Sequence, residues 1–164
     1  MFREMRRKRQ QLTGAECADI LQRNTSGVLA VSGDGGYPYA VPLSYVYDGG
    51  AVYFHCAKSG HKLDAITACD KVSFCVTDQD LVVPKEYTTY FRSVILFGRA
   101  EVVEDEDEIN AAIEKLAKKY YPDDSDENRR AAIEKERRAL NVVKIKIEHI
   151  TGKEAIELVK NRQG

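Results

Sequence analysis

The chain has 164 residues, of which 43% are hydrophobic and 31% are charged, and its net charge is −1. This length and composition predict a single domain, residues 1–164, with a substantial core, and they exclude a disordered chain. The near-neutral charge provides no field to attract nucleic acid or an anionic membrane, and no apolar stretch reaches the roughly 20 residues of a membrane helix.

A basic run occupies positions 3–9, and no apolar segment follows it. A secretory signal needs such a segment, so we expect a cytoplasmic protein. The run lacks interleaved aromatic residues, which is more typical of a solvated or ligand-contacting arm than of a nucleic-acid site. The four cysteines contain no C-x-x-C pair and are expected to be reduced thiols. They are Cys17, Cys56, Cys69 and Cys75.

The first half of the chain predicts one helix followed by strands. Thr13 and Glu16 have capping-box spacing, and the apolar residues behind them recur at helical intervals, so a short helix is predicted over 14–24. Gly-rich turns then separate three β-rich runs, which predicts an antiparallel meander. The three predicted strands are 27–31, 37–47 and 51–56.

The second half of the chain predicts helices over about 60–69, 105–120 and 125–139. It also predicts strands over 71–77 and 142–150, a loop over 78–87 and a β-rich stretch over 88–103. Gly98 marks a bulge or a close approach within the long β-rich stretch. The first three strands lack helical crossovers, which disfavours a doubly wound parallel sheet. The predicted fold class is mainly β, a β-barrel with peripheral helices.

Pro42 interrupts a run that otherwise has the composition of a strand. Proline cannot donate to a sheet ladder, so this strand is expected at a sheet edge or broken there. Two interpretations remain open. In one, the proline protects an edge from aggregation; in the other, the segment 41–44 turns unpaired backbone groups toward a planar ligand.

The stretch from His55 to Lys62 combines a strand end with a helix start. A helix N-terminus presents free N–H groups and a partial positive charge, which suit a phosphate. Lys58, Ser59 and His61 could add further donors. The alternative is a solvated turn with surface lysines, and the residues alone leave both interpretations open.

Other chemistries fit the sequence less well. A zinc site from His55, Cys56 and His61 lacks a fourth Cys or His at usable spacing, so no metal site is predicted. A Cys–His hydrolase would need a base beside Cys56, which nothing in the sequence specifies. No helix follows the glycines at 33–36, and residues 58–62 do not match a Walker loop, so neither nucleotide fingerprint is present.

Motifs along nearly the whole chain add up to a family pattern. They are Met5-Arg6-Arg7-Lys8-Arg9-Gln10, the stretch Gly35–Tyr47, Tyr53-Phe54-His55-Cys56-Ala57, Gly60-His61-Lys62-Leu63-Asp64, the stretches Val72–Val76 and Tyr90–Gly98, and Ile150-Thr151-Gly152-Lys153. In this order they resemble the nitroimidazole-resistance (Nim) family of pyridoxamine 5′-phosphate oxidase-like, FMN-binding proteins. The resemblance implies a split β-barrel and a homodimer with FMN at the subunit interface.

The resemblance also assigns roles to three groups of residues. The group that runs along the isoalloxazine ring is Val41, Pro42, Leu43 and Ser44. The group toward the ribityl phosphate is His55, Ala57, His61 and Lys62. The group that reaches the flavin from the partner subunit is Tyr90, Arg92 and Ser93.

The function implied is that of an FMN-dependent oxidoreductase, a nitroreductase-like enzyme that passes electrons to small acceptors such as nitroimidazoles. His55 is the candidate catalytic residue, nearest the reactive face of the flavin. No Arg/His set for pyridoxamine phosphate stands out, which disfavours vitamin B6 oxidation. The alternative is a non-catalytic flavin- or haem-binding protein used for sensing or storage.

Overall fold

The computed structural model describes residues 2–163, and within them eight strands form one antiparallel sheet. The strands are β1 (Gln11–Leu12), β2 (Ser26–Ser32), β3 (Pro38–Ser44), β4 (Val46–Asp48), β5 (Ala51–Ala57), β6 (Lys71–Val83), β7 (Thr88–Val102) and β8 (Leu140–Glu154). The α-helices are α1 (Gly14–Arg23), α2 (His61–Ala68), α3 (Glu106–Tyr120), α4 (Asp126–Glu136) and α5 (Ile156–Gln163). None of the helices within this range has the length and apolar character needed to cross a membrane.

The sheet curls into a barrel that is open on one side. Its strand order is β3-β2-β6-β7-β8-β5-β4, with β1 added on β8. β3 and β5 lie near opposite ends of this order and yet contact each other without pairing. The predicted class, a mainly β barrel with peripheral helices, is confirmed.

Two apolar clusters occupy the two faces of the curled sheet. The inner cluster fills the barrel and includes Phe54, Phe74 and Leu96, which are almost completely buried. The outer cluster lies where α3 covers the sheet, with Tyr53 and Ile113 among its members. Because successive residues of a strand face opposite sides, β5 contributes alternately to both clusters.

The predicted meander of three strands is wrong in one respect. The run 37–47 is two strands, β3 and β4, and β3 does not pair with β5. The break is at Tyr45, which is completely buried. Its hydroxyl donates to the Leu21 carbonyl at 2.9 Å, and its N–H donates to the Tyr120 hydroxyl at 3.0 Å. These contacts come from two helices distant in sequence, so the local pattern could not reveal the break.

The predicted loop over 78–87 is also wrong, because β6 continues to Val83 and turns through Pro84–Glu86 into β7. A register shift between Thr77 and Gln79 turns Asp78 toward α1. There Asp78 accepts hydrogen bonds from Arg23 at 2.6 Å and from Asn24 at 2.8 Å. The polar end of β6 thus continues as a strand because the Asp78 carboxylate is paired.

Several local predictions are confirmed. Thr13 and Glu16 form the capping box at the start of α1, with the hydrogen bonds in both directions. Gly98 is a point of close approach, since a Cβ there would lie 2.3 Å from the Lys146 carbonyl oxygen. The register between β7 and β8 shifts between Phe97 and Gly98, which is the predicted irregularity.

Candidate functional site

The segment 41–44 lies on an exposed edge of the sheet. β3 pairs with β2 alone within the described chain, in a register that sets Pro42 opposite Val28. This confirms the prediction that the strand with Pro42 lies at a sheet edge, a position that fits both interpretations of the proline. Val41 and Leu43 pack on the inner cluster, whereas Pro42 and Ser44 are exposed outside the barrel.

The end of β5 presents His55 on the same outer side. Phe54 and Cys56 face the inner cluster, so the alternation of the strand turns His55 and Ala57 outward, and both are exposed. The His55 side chain has no hydrogen-bond partner among residues 2–163. Ser44 from β3 and His55 from β5 line the same pocket, so these two predicted residues are brought together across the open side of the barrel.

The helix α2 begins next to the end of β5, and its N-terminus is free. Gly60 is the N-cap at φ +140°, a conformation that favours glycine, and no side chain caps the helix. The first helical hydrogen bonds run from the N–H groups of Leu63 and Asp64 to the Gly60 carbonyl. The N–H groups of His61 and Lys62 therefore have no acceptor in the described chain, and such a helix start suits a phosphate.

The His61 side chain is engaged elsewhere. Its ring stacks on Tyr39 with centroids 4.2 Å apart, and its Nε2 lies 3.7 Å from the Asp34 carboxylate. The imidazole thus joins α2 to the turn between β2 and β3. Of the predicted phosphate ligands, His61 retains its backbone N–H for an anion, and the half-buried Lys62 retains both its N–H and its ammonium group.

Cys56 is unsuited to nucleophilic chemistry. Burial raises the pKa of its thiol above the ordinary value, and the positive charge of Lys62 offsets this only in part. A thiol with a raised pKa is mostly protonated at neutral pH and is a weak nucleophile. No group of three or more His, Cys, Asp or Glu side chains within residues 2–163 is arranged to hold a metal ion.

A pocket of about 290 Å³ opens beside Ser44 and His55; we call it the helix pocket. Its apolar wall is formed by α3, α4 and the start of β8. The wall residues are Ile113, Leu116, Ala117, Ala132, Ile133 and Leu140. Its polar lining is Ser44, His55, Tyr120 and Glu136.

The three residues predicted to reach a partner's flavin do not share one face of β7. Arg92 donates to Glu154, which is completely buried, at 3.2 Å, and lies 3.5 Å from Asp78. Tyr90 donates to Glu86 at 2.8 Å. Ser93 has the opposite orientation and faces outward with Ile95, because adjacent strand residues alternate. β7 is also separated from β3 by two strands, so a single subunit does not bring these residues to the segment 41–44.

Sequence reasoning missed the walls of the helix pocket. The apolar stripe of α3 was visible at helical spacing and predicted a core-facing helix, but spacing cannot show which part of a stripe contacts the sheet and which part lines a cavity. Tyr39 was missed as well. Its stacking on His61 joins two segments that are about 20 residues apart and share no local pattern.

Comparison with known proteins identifies the type of fold. The sequence model of a family described as pyridoxamine 5′-phosphate oxidase matches residues 13–154. No curated protein matches the chain. Among solved structures, a candidate 5-nitroimidazole antibiotic resistance protein from Bacteroides thetaiotaomicron is 20% identical with a TM-score of 0.72, over 88% of this chain and 86% of that one.

Two further structures are similar over most of their length. A FAD-binding protein from Mesorhizobium loti is 25% identical with a TM-score of 0.65, over 89% of this chain and 97% of that chain. The FAD and haem binding protein from Mycobacterium smegmatis is 20% identical with a TM-score of 0.73, over 94% of this chain and 80% of that chain. At 20% identity the similarity demonstrates a common fold.

Proposed function

This chain belongs to the pyridoxamine 5′-phosphate oxidase family, and we propose that it is a flavin-binding oxidoreductase, a nitroreductase-like enzyme that uses FMN. The observation that carries the proposal is the meeting of three features on the open side of the barrel. They are the exposed edge of β3, the outward-facing His55 and the uncapped start of α2. FAD-binding proteins among the similar structures support a flavin as the cofactor.

The residues of this chain fit a flavin mononucleotide. The free N–H groups at positions 61 and 62 and the Lys62 ammonium group would hold the phosphate. Backbone groups of the segment 41–44 would meet the polar edge of the ring, since this edge of β3 has no strand partner in the described chain. When bound, the flavin would accept a hydride from a reduced donor and deliver electrons to a small acceptor.

His55 is the residue we assign nearest the reacting atoms. It is exposed on the outer side of β5, beside Ser44 and without a hydrogen-bond partner in residues 2–163, so its ring is available to a bound molecule. We assign it to positioning the acceptor and to proton donation at a ring nitrogen. A nitroaromatic acceptor is the choice favoured by the motifs shared with the Nim family and by the similar structure from Bacteroides.

We also propose that the protein is a homodimer. The outer face of the sheet exposes three large apolar side chains, Val28 at 38%, Ile95 at 40% and Phe97 at 39%. Phe97 also borders a cavity of about 620 Å³ that is lined mainly by residues of β2, β6 and β7. Clustered apolar exposure of this kind is typical of an interface. Ser93 lies on the same face, so it is the member of the predicted trio that a partner subunit would bring to the flavin.

The competing function is a non-catalytic flavin or haem carrier. It is favoured by the similarity to a protein that binds FAD and haem. In that case the outward-facing His55 would be a ligand or a ring contact rather than a proton donor.

The test is the spectrum and the turnover of the purified protein. We expect flavin absorbance, and after anaerobic photoreduction we expect a nitroimidazole to reoxidise the flavin faster than anaerobic buffer does. Reoxidation at the rate of the buffer control would contradict the enzyme and support the carrier. A protein that binds no flavin when titrated with FMN would contradict both flavin functions.

A further inference from the structure

We propose that the helix pocket binds the electron acceptor and selects small aromatic molecules that carry no negative charge. This inference rests on the proposed function, because it assigns the second substrate of the same site. The apolar walls of the pocket come from the α3–α4 pair, and its polar lining shares Ser44 and His55 with the proposed flavin site.

The size of the helix pocket suits a small aromatic acceptor. Its volume of about 290 Å³ is just below the roughly 300–1,000 Å³ found for the sites of drug-sized ligands. Apolar side chains of α3 and α4 form its walls, with Ala117 and Ile133 on opposite helices. A flat aromatic ring placed against these side chains would remove their apolar surface from water.

The two helices that wall the pocket are held together by a residue outside its lining. Arg129 of α4 has a side chain only 6% exposed, and it donates to the Glu114 carboxylate of α3 at 3.2 Å and to the Asp124 carbonyl at 3.2 Å. It is also paired with Asp126. These bonds hold α4 against α3, so the spacing of the two helices, and with it the width of the pocket, is set by a buried guanidinium.

Two polar groups of the lining remain available to the acceptor. The side chains of Ser44 and His55 have no hydrogen-bond partner in the described chain. The Tyr120 hydroxyl is already used, because it donates to the Thr25 carbonyl and accepts from the Tyr45 N–H. A neutral acceptor with one polar substituent would therefore direct that substituent toward β3 and β5.

The charge of the lining disfavours anions. Glu136 is the one acidic residue of the helix pocket, it has no ion-pair partner within residues 2–163, and no Lys or Arg lines the pocket. A carboxylate or phosphate ester placed here would be desolvated beside a like charge, with no Lys or Arg to compensate it. This repulsion lowers the affinity for anionic acceptors relative to neutral and cationic acceptors of the same shape, and specificity is this difference in affinity.

The first experiment fills the pocket. Ala117→Phe is compared with Ala111→Phe, an exposed position on the same helix. We expect Ala117→Phe to raise the KM for 4-nitrobenzyl alcohol about tenfold or more, without changing the Kd for FMN or the photoreduction of the flavin. The Ala111→Phe variant should match the wild type. Ile133→Ala, which removes part of the apolar wall, should also raise the KM for 4-nitrobenzyl alcohol.

The outcomes separate this inference from the proposed function. A wild-type protein that binds no FMN overturns the proposed function and this inference with it. FMN binding with an unchanged KM in both pocket variants overturns the pocket assignment alone. A weaker affinity for FMN in Ala117→Phe would place the flavin itself in the pocket, and it would overturn the assignment as well.

The second experiment tests charge selection with three acceptors of one size: 4-nitrobenzyl alcohol, 4-nitrobenzylamine and 4-nitrobenzoate. We expect the kcat/KM of the wild type for the benzoate to be about tenfold below that for the alcohol. Glu136→Lys should remove most of this difference, while Glu134→Lys, an exposed position on the same helix, should preserve it. Equal kcat/KM values for the alcohol and the benzoate in the wild type would overturn the charge selection.

Discussion

Lys62 is the side chain on which the phosphate end of the proposed flavin site depends most. It is half-buried at the uncapped start of α2, and its ammonium group is free of ion-pair partners in the described chain. Lys62→Ala removes a charge-assisted contact, so we expect FMN binding to weaken by about 1.5–3 kcal/mol. Titration of apo-protein with FMN measures this. Lys160→Ala, an exposed lysine of α5, is the control, and an unchanged Kd in Lys62→Ala would rule out the role.

Asp78 joins three elements at the end of the barrel opposite the proposed phosphate site. Burial raises the pKa of this carboxyl, but hydrogen bonds from Arg23 and Asn24 and the charges of Arg23 and Arg92 outweigh burial, so the pKa lies below its ordinary value. A depressed pKa in the folded state means that the carboxylate stabilises the fold at neutral pH. This contribution is lost as the pH falls through the folded-state pKa.

We therefore expect Asp78→Asn to lower the free energy of unfolding at pH 7 by about 1.5–3 kcal/mol. Above the ordinary carboxyl pKa of about 3.9 the difference from the wild type should be constant, and it should shrink as the pH falls below that value. Urea unfolding at pH 7, 4 and 3 measures it. Asp80→Asn, at an exposed position of the same strand, should show neither effect. A difference that persists unchanged to pH 3 would contradict the argument.

Among the secondary-structure elements, the long strands β7 and β8 have one position where their backbones approach most closely. A Cβ at Gly98 would lie 2.3 Å from the Lys146 carbonyl oxygen and 3.0 Å from a methyl group of Ile145. Because the obstacle is the backbone of a central strand, it cannot move without shifting the register. We expect Gly98→Ala to lower the free energy of unfolding by about 1–3 kcal/mol, measured by urea titration.

Gly50→Ala is the matched control for this element. Gly50 lies in the turn of the β4–β5 hairpin, and a Cβ there would meet no atom within 4 Å. A loss of stability as large in Gly50→Ala as in Gly98→Ala would show that the effect is a general cost of replacing glycine and not the close approach of two strands.

For the whole molecule, the apolar outer face of the sheet predicts a homodimer. Val94 and Leu96 are completely buried inside the barrel, while Ile95 and Phe97 are exposed outside it, so β7 is apolar on both faces. We expect sedimentation at micromolar concentration to give twice the chain mass of 18.5 kDa. Ile95→Glu places a charge in the proposed interface and should give a monomer with weakened FMN binding.

Tyr121→Glu is the control for the dimer, because Tyr121 is 61% exposed at the end of α3, on the helical side of the molecule. It should remain a dimer with wild-type affinity for FMN. A wild-type protein that sediments as a monomer would contradict the dimer, and a monomeric Ile95→Glu that binds FMN normally would contradict a site shared between subunits.

Short-range signals in the chain were enough to predict most elements and part of the site. The capping box at Thr13, the edge strand at Pro42, the close approach at Gly98 and the helix start before Lys62 each follow from residues within a few positions of one another. Backbone geometry and hydrogen-bonding capacity act over that range, so the class of fold, the edge strand and the helix start were predictable, while a role of these segments toward a flavin was implied by the family resemblance alone.

Contacts between distant segments decided the rest. The break at Tyr45 depends on Leu21 and Tyr120, the extension of β6 depends on Arg23, and the engagement of Arg92 depends on Glu154. The helix pocket exists because α3 and α4 fold back over β3 and β5. Burial and ion pairing of this kind are properties of the folded chain, since they arise only where residues far apart in sequence are excluded from water together.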